Sequence, residues 1–209
     1  DEKGFFHCFS TAEHGNIFDF IMKTQNLKFG EAVKTLANLA GIRPYTFSKL
    51  DEEREKQWQK YINIYSEYVN FYHNELLRSP DSINAKNYIK SRNLSVEDVK
   101  KFKIGYVKNY PNIYETLIKK FDEDSLKHSG IFYFDERKNI FFERFRDRII
   151  FPINSITGQT IAIGGRLINK NNNLAKYINS PETNFFKKGN NLYNLDRARK
   201  FSNTLNEIF

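Results

Sequence analysis

Apolar residues recur at helical spacing from the start of the chain to about residue 130 and then switch to period two, which reads as helices followed by strands. Residues 4–9 are strand-like, and Asn16 caps a helix whose Ile17, Phe20, Ile21 and Thr24 share a face. A second helix carries Phe29, Val33, Leu36, Ala37 and Ala40 and is stopped by Gly41 and Pro44. The charged run at 48–55 marks a linker. From Asp51, Trp58, Tyr61, Ile62, Tyr65, Val69, Tyr72 and Leu76 hold the register of one long amphipathic helix that ends near Ser79 and Pro80. Ala85, Tyr88 and Ile89 suggest a short helix closed at Arg92, Asn93 and Leu94. Ser95 and Asp98 open another as a capping box. Helical turns follow at 113–121 and 122–128, where Asp122, Glu123 and Asp124 favour a helix start. Strands are expected at 131–134 and 140–142, and the fold class is α+β, with a helical N-terminal third and a strand-rich segment over 131–178.

The period-two stretch carries the candidate chemistry. In an extended chain Arg144, Arg146 and Arg148 fall on one face, which suits a polyanion. Gly158 turns the chain between two β-branched runs, and the second of these is expected to end at Gly164 and Gly165. Two glycines before Arg166 would let a ligand approach the backbone while the guanidinium forks onto a phosphate. Residues 169–173 read as a surface loop. Beyond them Lys176 offers a point charge, Tyr177 a stacking face, Asn179 and Ser180 donors for phosphate or base edges, and Lys188 a second basic corner. Asn194 caps a last helix.

Charge placement sharpens this picture. The formal net charge of the 209 residues is +8. Between Arg137 and Lys200 stand 13 Lys or Arg against four acids, a local +9, while the remainder holds 20 basic and 21 acidic residues. A basic segment on a neutral body is the footprint of a phosphate-binding surface. Most of the 20 Phe and 12 Tyr are expected in the core. One cysteine excludes an intramolecular disulfide, and the absence of any run near the ~20 apolar residues of a membrane span leads us to expect a cytoplasmic protein.

In their order, Arg144-Phe-Arg-Asp-Arg-Ile-Ile-Phe-Pro-Ile153, Gly164-Gly-Arg166, Lys176-Tyr-Ile-Asn-Ser-Pro-Glu-Thr183, Phe186-Lys-Lys-Gly189 and Asn191-Leu-Tyr-Asn-Leu195 closely resemble the bacterial replicative DNA primase family of the DnaG type. Tyr88-Ile-Lys-Ser-Arg-Asn-Leu-Ser95 and Phe102-Lys-Ile-Gly-Tyr106 resemble a further family stretch, with Asn93 where the family has glycine. By that resemblance Arg92 joins the candidate nucleic-acid contacts. Residues 1–43 look like the last third of the family's zinc-ribbon domain, 44–50 like its linker, and 51–209 like the N-terminal subdomain of the RNA polymerase core.

The resemblance implies an enzyme that makes RNA primers on single-stranded DNA, with nucleoside triphosphates, the primer and a replicative helicase as partners and no membrane. It implies Mg or Mn held by carboxylates of a Toprim subdomain that starts past Phe209, so this chain is expected to supply template and nucleotide binding and to make no RNA alone. Cys8 matches one zinc ligand of the family, but Thr11 stands where its partner cysteine would be. With His7 and His14 the only other local candidates, no stoichiometric zinc is expected. A reading from another class, a non-catalytic single-stranded nucleic-acid-binding module, is supported equally by the basic and aromatic content alone. A segment of a phage helicase-primase is a weaker rival.

Overall fold

The computed structural model describes residues 4–42, 49–108, 113–168, 174–183 and 185–201, and side chains through residue 198. The asparagine loop at 169–173, most of the expected linker and residues 206–209 lie outside the described residues. The chain forms two compact units, Asp1–Arg54 and Glu55–Phe209.

In the first unit strands β1 (Phe5–His7) and β2 (His14–Asn16) form an antiparallel hairpin, so the helical first third opens on strands. Helix α1 (Ile17–Gln25) starts at Asn16, whose side chain accepts from Phe18 and Asp19 amides while Asp19 accepts from the Asn16 amide, a reciprocal capping box. Helix α2 (Phe29–Leu39) follows. Ring contacts Phe6–Phe20 and Phe18–Phe29 tie these pieces together.

Helix α3 (Lys49–Arg78) begins two residues inside the expected linker, runs from the end of the first unit into the second, whose core it carries, and ends where Ser79 and Pro80 stop it. Helices α4 (Ile83–Ser91) and α5 (Val96–Lys101) follow. Asn93 between them takes φ 57, the left-handed conformation that asparagine tolerates nearly as well as glycine. After β3 (Gly105–Val107) come α6 (Tyr114–Leu117) and α7 (Glu123–His128). Strands β4 (Phe132–Asp135) and β5 (Ile140–Glu143) pair as a hairpin. Strands β6 (Arg148–Asn154), β7 (Thr160–Leu167) and β8 (Tyr177–Asn179) complete an antiparallel sheet in the order β3-β6-β7-β8, and α8 (Leu195–Phe201) ends the described chain.

Both faces of that sheet are covered. Val107, Ile150 and Ile163 point to a core with Tyr61, Tyr65, Tyr68 and Tyr72 of α3 and Phe132 and Phe141 of the hairpin. Ile149, with Ile104, packs on Leu76, Ala85, Ile89 and Val99, so α4 and α5 cover the opposite face. On the first face Gly105 lets the sheet come close to α3, since a Cβ there would stand 3.0 Å from the His73 amide nitrogen. Among the described residues no helix is long and apolar enough to cross a membrane.

One charged group lies inside the first core. Glu143 is buried and accepts from the Tyr68 and Tyr72 hydroxyls and from the Ile113 amide. Burial pushes its carboxyl up to about 7; the hydrogen bonds and the Arg146 charge only partly oppose this. Between the ordinary value of 4.5 and about 7 the folded chain therefore holds a proton that the unfolded chain releases. The stability this group contributes is full below the unfolded value and lost as pH rises through the folded one. Unfolding free energy measured by urea titration should fall by about 3 kcal/mol across that window through this group, and Glu143→Gln should remove that part of the slope. Equal pH slopes for the two proteins would contradict the assignment.

Candidate nucleic-acid interface

Cross-strand register decides which candidate side chains share a face. Phe151 pairs Gly164 and Gly164 pairs Asn179; Ile149 pairs Arg166 and Arg166 pairs Tyr177. These rows put Arg166, Tyr177, Asn179 and Gly164 on the face that α4 and α5 cover. The strand does not end at the two glycines as expected; β7 runs on to Leu167, so Arg166 lies in register between Ile149 on one side and Tyr177 on the other.

Arg166 is the centre of the arrangement. Its guanidinium lies 4.1 Å over the Tyr88 ring and 5.8 Å from the Tyr177 ring, and Arg92 reaches the same Tyr88 ring at 5.9 Å. Lys176 stands 5.7 Å from the Tyr177 ring. One terminal nitrogen of Arg166 donates to the Leu167 carbonyl, and its Nε is buried without a partner among the described residues. Any fork onto a phosphate thus has to use the terminal nitrogens. A hydrogen bond with Arg166 lowers the pKa of the Tyr177 hydroxyl, and the Arg166, Lys176 and Arg92 charges add to that shift. Tyr177 is 60% exposed, so its ring is open for stacking.

Beside Tyr177 opens a cavity of about 670 Å³ lined by Phe102, Phe151, Gly164, Asn179, Lys188 and Tyr193 among others. Six of the sequence candidates therefore come together: Arg92, Arg166, Lys176 and Tyr177 through shared rings, with Asn179 and Lys188 joined to them along the cavity that Tyr177 also lines.

The other candidates do not join them. Arg144, Arg146 and Arg148 are not on one extended face, because residues 144–147 form a turn between β5 and β6. Phe145 is fully buried there and Asp147 takes φ 57, so burial of the ring overrides the alternation. Arg144 donates to the Gly130 carbonyl, and Arg146 lies over the Phe142 ring and donates to the Tyr133 hydroxyl. Arg148 is 4% exposed, faces away from Arg166 in the ladder and donates to the Lys176 carbonyl, so it braces β8 from behind. Ser180, expected as a donor to phosphate, is buried; its hydroxyl accepts from the Ile163 amide and donates to the Ile163 carbonyl, extending the ladder beyond β8.

Sequence reasoning passed over Tyr88 as a site residue and treated it as one more helical apolar position. The available signal was its spacing, four residues before Arg92, which makes the two neighbours on one helix face. The aromatic cavity lining, Phe102, Phe151 and Tyr193, comes from three separate segments and left no local pattern.

Cys8 sits in the first unit. Its thiol contacts the Ser10 hydroxyl at 3.1 Å, and hydrogen bonds from Ser10 and Thr11 lower its pKa to about 6. His7 and His14 stack across the hairpin, and His14 Nδ1 approaches the Ala12 carbonyl. Among the described residues no three His, Cys, Asp or Glu side chains converge as a metal site needs.

A sheet face with two guanidiniums at one ring, an exposed tyrosine and an aromatic cavity has the chemistry that suits a single-stranded nucleic acid. Comparison with known proteins makes this specific. Residues 71–199 match the family model of the DNA primase catalytic core, N-terminal domain, and residues 1–52 match the CHC2 zinc finger. The chain is 36% identical over 208 residues to the DNA primase of Haemophilus influenzae and 32% identical over 212 residues to that of Enterococcus faecalis, covering 94% and 96% of this chain and 33% of each relative. It spans about a third of the length of these relatives. The DnaG primase catalytic domain bound to ssDNA superposes with a TM-score of 0.64 at 30% identity over 73% of this chain and 47% of that one. The zinc-binding and RNA polymerase domains of Aquifex aeolicus primase give 0.58 at 27% over 96% and 47%. The chain belongs to the DnaG-type bacterial DNA primase family.

The two adjacent glycines of β7 serve different ends. A Cβ on Gly165 would stand 2.5 Å from Cδ1 of Phe145, whereas one on Gly164 would meet Asn179 Oδ1 at 3.3 Å and little else. Gly165→Ala should therefore lower the unfolding free energy by about 1–3 kcal/mol through overpacking, while Gly164→Ala should change it by less than about 1 kcal/mol. Urea unfolding of both variants checks this, and equal losses would contradict it.

Proposed function

We propose that this chain is the template- and nucleotide-binding wall of a primase core, the part of a DNA-directed RNA polymerase that holds single-stranded DNA while short RNA primers are made on it for replication. The observation that carries the proposal is the convergence of Arg166 and Arg92 on Tyr88, with Lys176 and Tyr177 at its edge. Guanidiniums and ammoniums neutralise phosphates, and the exposed Tyr177 ring offers a base a stacking face. Membership of the primase family and the single strand held by its solved relative support the same reading. Nucleoside triphosphates, the primer and a replicative helicase are the partners this assignment implies for the whole enzyme. In this assignment the Mg or Mn chemistry belongs to the whole enzyme, and the role of the residues named here is to bind and orient.

Phosphate contacts release counterions, so affinity for a single strand should fall with log salt at roughly −0.7 per contact. Arg166→Ala should weaken binding by about 1–3 kcal/mol for every template sequence and flatten that slope. Arg166→Lys should restore only part of the loss, because an ammonium keeps the charge without the planar stacking. Arg144→Ala, whose side chain is engaged with Gly130, should lose much less. Fluorescence anisotropy over a salt series measures all three. Equal losses for Arg144→Ala and Arg166→Ala would show diffuse attraction and overturn the assignment.

A further inference from the structure

We propose that the apolar groove between α3, α4 and the start of α5 docks an acidic peptide segment of a partner protein, seated by a large apolar side chain. The inference rests on residues outside the Arg166 surface and is independent of the function proposed for it. Leu76, Ile89 and Val99 form the floor of the groove, on the outer side of the core that covers the sheet. Leu77, half-buried, and Val96, 57% exposed, carry the apolar lining out to solvent. The groove encloses about 450 Å³, within the roughly 300–1,000 Å³ of pockets that take a compact ligand. Core packing accounts for the floor, whereas an exposed valine at the mouth gains the fold little. An open apolar lining with a polar rim marks an interaction surface.

The rim selects the partner. Lys86 and Lys90 stand one turn apart on α4 and both line the groove. Among the described residues neither has a carboxylate partner: Lys86 donates to the Ser79 carbonyl and keeps two further donors, and Lys90 is exposed. Among the described residues, no carboxylate and no aromatic ring lines the groove. A nucleic-acid base would find no ring to stack on, as it would at Tyr177. An aliphatic slot beside two unpaired ammoniums instead complements a Leu or Phe side chain flanked by carboxylates. Lys86 and Lys90 lie two residues before and after Tyr88, which places them on the side of α4 turned away from its contact with Arg166. A peptide held there leaves that contact in place.

The test titrates the whole chain into a labelled short peptide of glutamates around a central Phe-Leu pair and reads fluorescence anisotropy. Replacing the Phe-Leu pair by alanines should weaken binding about tenfold or more, as loss of a central anchor does. Glutamines in place of the glutamates should weaken it and remove its salt dependence. Val96→Asp puts a like charge in the mouth of the groove, at a first-turn helix position where an acid is tolerated, and should weaken binding at least about tenfold. Lys86→Gln combined with Lys90→Gln should weaken it about three- to tenfold. Neither variant should alter the affinity for oligothymidylate, which also shows that each is folded. Absence of saturable peptide binding by the wild-type chain, or unchanged affinity in both variants, would overturn the docking site and leave the Arg166 reading intact. Displacement of the peptide by oligothymidylate would place the peptide on the Arg166 surface and overturn it as well.

Discussion

Everything proposed for this surface depends on the packing of the Arg166 guanidinium on the Tyr88 ring. The contact joins β7, which carries Arg166, to α4, which carries Tyr88 and ends beside Arg92. A cation over an aromatic face is worth about 0.5–2 kcal/mol, depending on how far it is desolvated. That is small beside the burial of the sheet. Its consequence is geometric: two guanidiniums that would repel in solution share one ring, and the flexible Arg166 side chain is held before any phosphate arrives. Ordering a long side chain in advance removes part of the entropic cost of binding.

The rest of the second unit places that contact. The tyrosines of α3 and the buried Glu143 hold one face of the sheet, so β6 and β7 are fixed from behind. Phe145, seated against Gly165, turns the chain from the β4–β5 hairpin into β6. Arg148 then ties the Lys176 carbonyl to β6, which steadies the short β8 that presents Tyr177 and Asn179. Residues that looked like ligand contacts in the sequence thus support the site from the opposite face. Glu143 makes this support sensitive to protonation, since its carboxyl is pushed up to about 7.

How much of this was legible in the sequence depended on how local the cause was. Helix starts at Asn16 and Ser95 and the left-handed Asn93 were readable because caps and turns are decided within a few residues. The strand-rich segment was readable from its period. Arg166, Lys176, Tyr177, Asn179 and Lys188 were found as a group because they lie in an ordered motif. The arginine triplet misled, because alternation describes an extended chain and cannot show that Phe145 has a core position to fill. Ser180 misled for a similar reason: its ladder partner, Ile163, is 17 residues away. Tyr88 went unseen because its role exists only once α4 lies on β7.

The most direct measurement is a double-mutant cycle between Tyr88 and Arg166, read as single-strand affinity at fixed salt, with Tyr88→Leu and Arg166→Ala as the single changes. If Tyr88 organises Arg166, the two losses should be coupled by about 0.5–2 kcal/mol, and Tyr88→Phe, which keeps the ring, should behave nearly as wild type. Strictly additive losses, or a Tyr88→Phe protein as weak as Tyr88→Leu, would contradict the account.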